Sequence, residues 1–180
     1  MATRLETMRE VRLEKLEKLR KLGINPYPSK TSFDRDLLEI FKARDLLLGK
    51  KVLVVGRLMS LRGHGGITFA DLKDESGQIQ LLLKKGETNS YEILELLDIG
   101  DFVAVTGEII KTQSGEITIA VSKFELLSKS IRPLPSVWYG LKDAEERYRQ
   151  RYVDLILNDD LRELFRKKAI FWQSFRNFLI

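Results

Sequence analysis

Cysteine is absent from these 180 residues, histidine occurs once and proline four times. The lack of cysteine excludes disulfides, thiolate metal sites and a cysteine nucleophile. A single histidine, His64, argues against a transition-metal site. No apolar run approaches the roughly 20 residues of a membrane span. The charged N-terminus does not read as a secretory signal, so a cytoplasmic location is the expectation. No G-x-S-x-G elbow occurs, and no G-K-[ST] follows the run Gly63-His64-Gly65-Gly66, so an esterase and a P-loop are both excluded. The acidic residues Asp71, Asp74 and Glu75 lack the spacing of a calcium loop. No nucleophile, base and orienting group can be assembled, and His64 reads as a turn residue. The sequence describes a chain that binds and does not catalyse.

What is present is globular. The composition is 43% hydrophobic and 32% charged, with a net charge of +5 that tilts the chain mildly towards polyanions. Residues 3–22 carry Leu5, Met8, Leu13, Leu16, Leu19 and Leu22 at mainly three-residue spacing, the pattern of one apolar helix stripe. Seven basic residues against four acidic ones in that segment supply three of the five net charges. Gly23 and the prolines of Asn25-Pro26-Tyr27-Pro28 end it. Such a helix either packs against the domain through its stripe or contacts a phosphate backbone through its cations. A second helix is expected over 34–48, with Leu37, Ile40, Phe41 and Leu47 buried.

Residues 51–83 read as three strands, separated by the glycine-rich turn at 63–66 and a second turn at 74–77. Alternation turns Thr68, Ala70 and Leu72 inward, together with Ile79, Leu81 and Leu83. Phe69 and Gln80 then point outward. A flat ring beside an amide suits an unpaired nucleobase, because the ring stacks and the amide offers both a donor and an acceptor to the base edge. The plainer alternatives are a ring covered by a loop and an ordinary surface glutamine. A short helix over 87–97 uses Tyr91, Leu94 and Leu97 as its apolar face. A fourth strand starts at Asp101, the hairpin loop 111–115 follows, and a fifth strand turns Ile117, Ile119 and Val121 inward, with Glu116 and Thr118 outward. Arg57 and Glu116 either complete a polar rim around Phe69 and Gln80 or are routine surface charges.

Three strands, a helix and two strands is the order of an OB-fold, a five-stranded Greek-key barrel that binds oligonucleotides on its strand 2–3 face. Gly56 fits the close approach that a barrel corner needs. The expected fold is mainly β with flanking helices. It comprises an N-terminal helical appendage (1–48), the OB barrel (49–128), a linker (129–157) holding Trp138, Tyr139 and a short helix, and a last helix from Asn158 (158–180). That helix has an apolar side of Leu161, Leu164, Phe165, Trp172, Phe175 and Leu179, widened by Phe171 and Phe178. Such a face requires a partner surface and reads as the start of a second domain.

The runs LRKLGINPYP, GRLMSLRGHGGITFADLKDESGQIQLLL, GDFVAVTGEIIKTQSGEITI and RPLPSVWYGLKDAEERYRQRYVDLILN resemble the N-terminal part of the lysyl-tRNA synthetases, class II enzymes of the aspartyl/asparaginyl/lysyl subgroup. The resemblance implies that the barrel binds the uridine-rich anticodon of lysine tRNA. Phe69 would stack on the central anticodon base and Gln80 would hydrogen-bond its edge, with Arg57 and Glu116 as further anticodon contacts. Arg12, Lys15 and Arg62 are candidates for contacts to the tRNA backbone. Gly66 stands where the family usually carries lysine. The helix from Asn158 resembles that of class II motif 1, at the dimer interface. Motifs 2 and 3 are missing, so no catalytic residue and no metal ligand is expected in this chain. The complete enzyme, a homodimer by the same resemblance, would use ATP and Mg2+. The readings that compete are a sister synthetase of the subgroup, a stand-alone OB module for single strands and a synthetase-like paralogue.

Overall fold

In the computed structural model, which describes residues 4–31, 34, 36–135, 141 and 143–180 (at 41, 44 and 45 the backbone alone), the chain divides into two compact units, Met1–Pro133 and Leu134–Ile180. The expected Trp138 and Tyr139 and the Phe41 side chain lie outside the described residues. Five strands dominate the first unit: β1 (Lys51–His64), β2 (Ile67–Lys73), β3 (Gln78–Lys84), β4 (Phe102–Lys111) and β5 (Ile117–Ser128). They close in the order β1-β2-β3-β5-β4. Every pairing is antiparallel except β3–β5, which is parallel and joins Gln80 to Thr118, Leu81 to Ile119 and Leu82 to Ala120. This is the five-stranded OB barrel that the strand order predicts.

Alternation determines which side chains fill the barrel. Ala70, Leu72, Ile79, Leu81 and Leu83 are buried, together with Val52, Val54 and Leu58 of β1. The register of β1 shifts between Leu58 and Ser60, so one long strand can serve two neighbours: β4 along its first half and β2 along its second. Two glycines allow the backbones to close in. A Cβ on Gly56 would meet Leu72 Cγ and Lys73 O at 2.8 Å, and one on Gly107 would meet Ala120 O at 2.3 Å. The closer approach, at Gly107, lies where β4 shifts register against β5.

Helices cover the barrel. The expected helix over 34–48 is two pieces, α2 (Leu37–Lys42) and α3 (Arg44–Leu47), broken at Ala43. The break lets Leu37 and Ile40 of one piece and Leu47 of the other all reach the core. The start of α2 is fixed by three side chains. Asp36 accepts from Glu39 N, Asp74 Oδ2 accepts from Leu37 N at 2.8 Å, and Ser76 Oγ accepts from Leu38 N at 2.8 Å. Asp74 Oδ1 also accepts from the backbone amides of Ser76 and Gly77, so one carboxylate shapes the β2–β3 turn and docks a helix on it. The expected short helix is a 3-10 turn, Tyr91–Leu96, whose Tyr91 hydroxyl lies 2.9 Å from Thr68 Oγ1.

Helix α1 (Arg4–Lys21) buries Leu16 and Leu19, whereas Leu5, Met8 and Leu22 of the expected stripe remain exposed. Its docking is largely polar. Arg12 donates to the carbonyls of Ile99, Ser130 and Arg132 at 3.0, 2.9 and 3.2 Å. Lys15 pairs with Asp98 at 2.8 Å. Beneath them the fully buried Lys129 bridges Asp98 and Asp101, at 2.5 and 2.8 Å, and Asp101 accepts from Ser130 N at 2.7 Å. Every buried side-chain polar atom among the described residues has a hydrogen-bond partner, which is the condition for keeping such charges out of water.

The second unit contains α4 (Ala144–Arg149), α5 (Arg151–Leu157) and α6 (Asp159–Leu179). The expected single helix before α6 is divided at Gln150. The buried Asp154 accepts from Arg147 and Arg151 at 3.0 and 3.3 Å, which accounts for two arginines of the RYRQRY run, and the third, Arg149, pairs with Glu145 at 2.7 Å. Asn158 caps α6 through Leu161 N, and the aromatic side from Phe165 to Phe178 is exposed.

Two stability predictions follow from the barrel and its cover. Gly107→Ala should cost about 1–3 kcal/mol by overpacking, read from urea unfolding, and an unchanged midpoint would contradict the close approach. At Asp98, burial alone would raise the carboxyl pKa, but hydrogen bonds from Lys129 and Lys15 and their charges outweigh it, and the net shift is downward. A carboxyl with a lower pKa folded than unfolded adds stability above its unfolded value and loses that stability as pH falls through the folded one. Asp98→Asn should therefore destabilise at neutral pH, and its deficit should shrink as pH falls below about 4. A deficit that does not change with pH in urea titrations would contradict this.

Candidate nucleic-acid interface

The outer face of β1, β2 and β3 carries side chains in rows that the registers define. Arg62, Phe69 and Leu82 form one row, and Ser60, Asp71 and Gln80 form the next, which Thr118 of β5 extends. Phe69 and Gln80 are therefore diagonal neighbours, about 7–8 Å apart and within reach of a long side chain. Both are half-buried, with the ring and the amide on the outward alternation as the pattern predicts.

The Gln80 amide is held at both ends. Its Nε2 donates to Glu116 Oε2 at 3.0 Å, and its Oε1 accepts from Thr118 Oγ1 at 3.0 Å. Glu116 closes the hairpin loop just before β5, where its backbone N donates to Thr112 Oγ1 at 3.1 Å. Thr118, expected to face outward, does lie on the outward side and is fully buried there. Next to this pair, Asp71 accepts from Ser60 Oγ and, at 3.4 Å, from Arg62 Nη2.

Of the residues that the sequence singles out, Phe69, Gln80 and Glu116 come together. Arg57 does not join them. It sits one row beyond Gln80, level with Lys73 and Gln78, and its guanidinium leans the other way, over the Phe102 ring at 4.2 Å and onto Gly100 O at 3.0 Å. Burial lowers its pKa from the ordinary value. Arg62 remains accessible, with 66% of its side chain exposed. Arg12 and Lys15 do not present charge to a ligand. Arg12 is buried with its donors on three carbonyls, and Lys15 is paired with Asp98. Both side chains are thus engaged within the fold, which speaks against a phosphate contact from either.

Thr118 is the residue the sequence reading passed over. Its alternation was legible, but its pairing with Gln80 depends on a parallel register between strands far apart in the chain. Among the described residues no group of three or more His, Asp or Glu side chains is placed to hold a metal ion, and no helix is long and apolar enough to cross a membrane. A cleft of about 460 Å³ lies on the β1–β4–β5 side, lined in part by Leu53, Thr106 and Lys123, and contains neither Phe69 nor Gln80. What the β2–β3 face offers is a flat apolar surface beside a fixed donor and acceptor, rimmed by the carboxylates of Glu116 and Asp71 and by the accessible Arg62, which pairs with Asp71.

Comparison with known proteins agrees with this description. Residues 52–127 match the family of OB-fold nucleic acid binding domains, tRNA_anti-codon. A lysine--tRNA ligase of Carboxydothermus hydrogenoformans is 48% identical over 97% of this chain and 36% of its own length. Those of Thermoanaerobacter pseudethanolicus and Syntrophomonas wolfei subsp. wolfei are 45% and 44% identical over the same shares. The chain thus spans 36% of the length of these relatives. The barrel is an OB fold that matches a nucleic acid binding domain family, and nearly the whole chain is similar to the N-terminal part of lysine--tRNA ligases.

Proposed function

We propose that the β2–β3 face reads the anticodon of lysine tRNA. The observation that carries this reading is the outward Phe69 ring beside the fixed amide of Gln80, on the face with which OB barrels bind single strands. Phe69 stacks on the central anticodon base, and Gln80 hydrogen-bonds its edge. Glu116 forms the rim, and Arg62 meets a backbone phosphate. Arg57, Arg12 and Lys15 are left out of the contacting set, because their donors are committed to Gly100, to loop carbonyls and to Asp98.

The whole protein, by its homology, activates lysine with ATP and Mg2+ and esterifies the tRNA end in the cytoplasm. No residue of these 180 is assigned to that chemistry. The exposed aromatic side of α6, with Phe171, Trp172 and Phe175, is proposed as part of its homodimer interface.

Phe69→Ala should weaken binding of a lysine anticodon stem-loop by about 1–3 kcal/mol while leaving the fold intact. Fluorescence anisotropy with a labelled stem-loop reads the change, and equal affinity for parent and variant would overturn the stacking role. The cations divide in a second test. Arg62→Ala should reduce the slope of log affinity against log salt by roughly 0.7–0.9, the share of one phosphate. Arg12→Ala should leave that slope alone and lower the unfolding midpoint, and the reverse pattern would contradict the assignment.

A further inference from the structure

Glutamine can present its amide in two orientations that differ only by exchange of O and N, and the two offer a base edge opposite orders of donor and acceptor. The chemistry around Gln80 permits one. The Glu116 carboxylate at 3.0 Å accepts hydrogen bonds and cannot donate when ionised, so the amide NH2 must face it. Oε1 is then left on the side of Thr118, whose hydroxyl has one proton to give. The candidate acceptors are Gln80 Oε1 at 3.0 Å and Glu116 O at 3.5 Å, and the nearer takes it. Reversal would set amide oxygen against carboxylate oxygen, and the Thr118 hydroxyl would then accept from the amide NH2 and be left to send its own proton along the 3.5 Å contact to Glu116 O. Once both ends are engaged, the amide retains one N–H and one oxygen lone pair for a ligand, in a fixed order.

We propose that Thr118 is a positioning residue of this site: with Glu116 it fixes the orientation of the Gln80 amide, and so which order of donor and acceptor on a base edge the barrel accepts. The inference rests on the anticodon reading above. A pyrimidine that donates from N3, as uracil does, and one that accepts there, as cytosine does, present inverted orders to the same amide. Phe69 limits how the base can tilt to compensate, so the fixed amide discriminates between the two. Thr118 touches no base, because it is fully buried. Its effect passes through Gln80.

Thr118→Val keeps the shape and removes the hydroxyl, and Thr118→Ser keeps the hydroxyl. With anticodon stem-loops reading UUU and UCU, Thr118→Val should reduce the preference for central uracil by roughly five- to tenfold, the scale of one hydrogen bond. Thr118→Ser should restore most of it. The Nε2 proton of Gln80 that faces Glu116 should be displaced from its random-coil resonance in the free parent and move back towards it in Thr118→Val, without any RNA. A merely structural role would weaken both stem-loops equally, leave the ratio unchanged and not be rescued by serine, and that result overturns the proposal. If the parent binds neither stem-loop, the anticodon reading itself fails, and the positioning role with it. A parent that discriminates alongside an equally selective Thr118→Val overturns the positioning role alone.

Discussion

The short parallel pairing between β3 and β5 is the contact on which the interface depends. Only through it does Thr118 lie opposite Gln80, and only through it does Glu116, at the end of the β4–β5 loop, come within 3.0 Å of the Gln80 amide. Parallel pairing cannot come from a hairpin, so it requires the rest of the barrel to be in place first. The bulge in β1 and the missing Cβ at Gly107 serve the same closure, because they let one strand pair with two partners and let β4 approach β5 at backbone distance. The geometry of the amide is thus a consequence of how the barrel closes.

A second constraint governs the helix in front of the barrel. Burying Arg12 and Lys129 without partners would cost several kcal/mol each. The structure meets that cost with carbonyls from Ile99, Ser130 and Arg132 and with the carboxylates of Asp98 and Asp101. Two of the cations that give α1 its basic character, Arg12 and Lys15, are therefore part of its attachment. Charge surplus on a helix measures its composition, whereas the availability of that charge depends on what the helix is packed against.

Much of the fold was legible in the sequence because it is written in local periodicity. Alternation in ITFADL and QIQLLL sufficed to turn Phe69 and Gln80 outward and to bury Leu72 and Leu81, and the strand order alone suggested the barrel. What escaped the sequence was non-local. Nothing within β5 reveals that Thr118 will be sealed beneath Gln80, and nothing around Arg57 reveals that Phe102, 45 positions later, will draw its guanidinium away from the interface. The helix breaks at Ala43 and Gln150 escaped for another reason. Neither site carries glycine or proline, and each break appears only once the burial of Leu47 or of Asp154 has to be satisfied.

The central claim is that this barrel face distinguishes one anticodon from its relatives. Its most direct test is a titration of the chain with the anticodon stem-loops of lysine, asparagine and aspartate tRNAs at one fixed salt concentration. Sequence-independent binding to phosphates is common to all three, so only contacts with the bases can separate them. The account predicts tightest binding to the lysine loop. Equal affinity for the three would contradict it and leave an OB barrel that holds single strands without reading them.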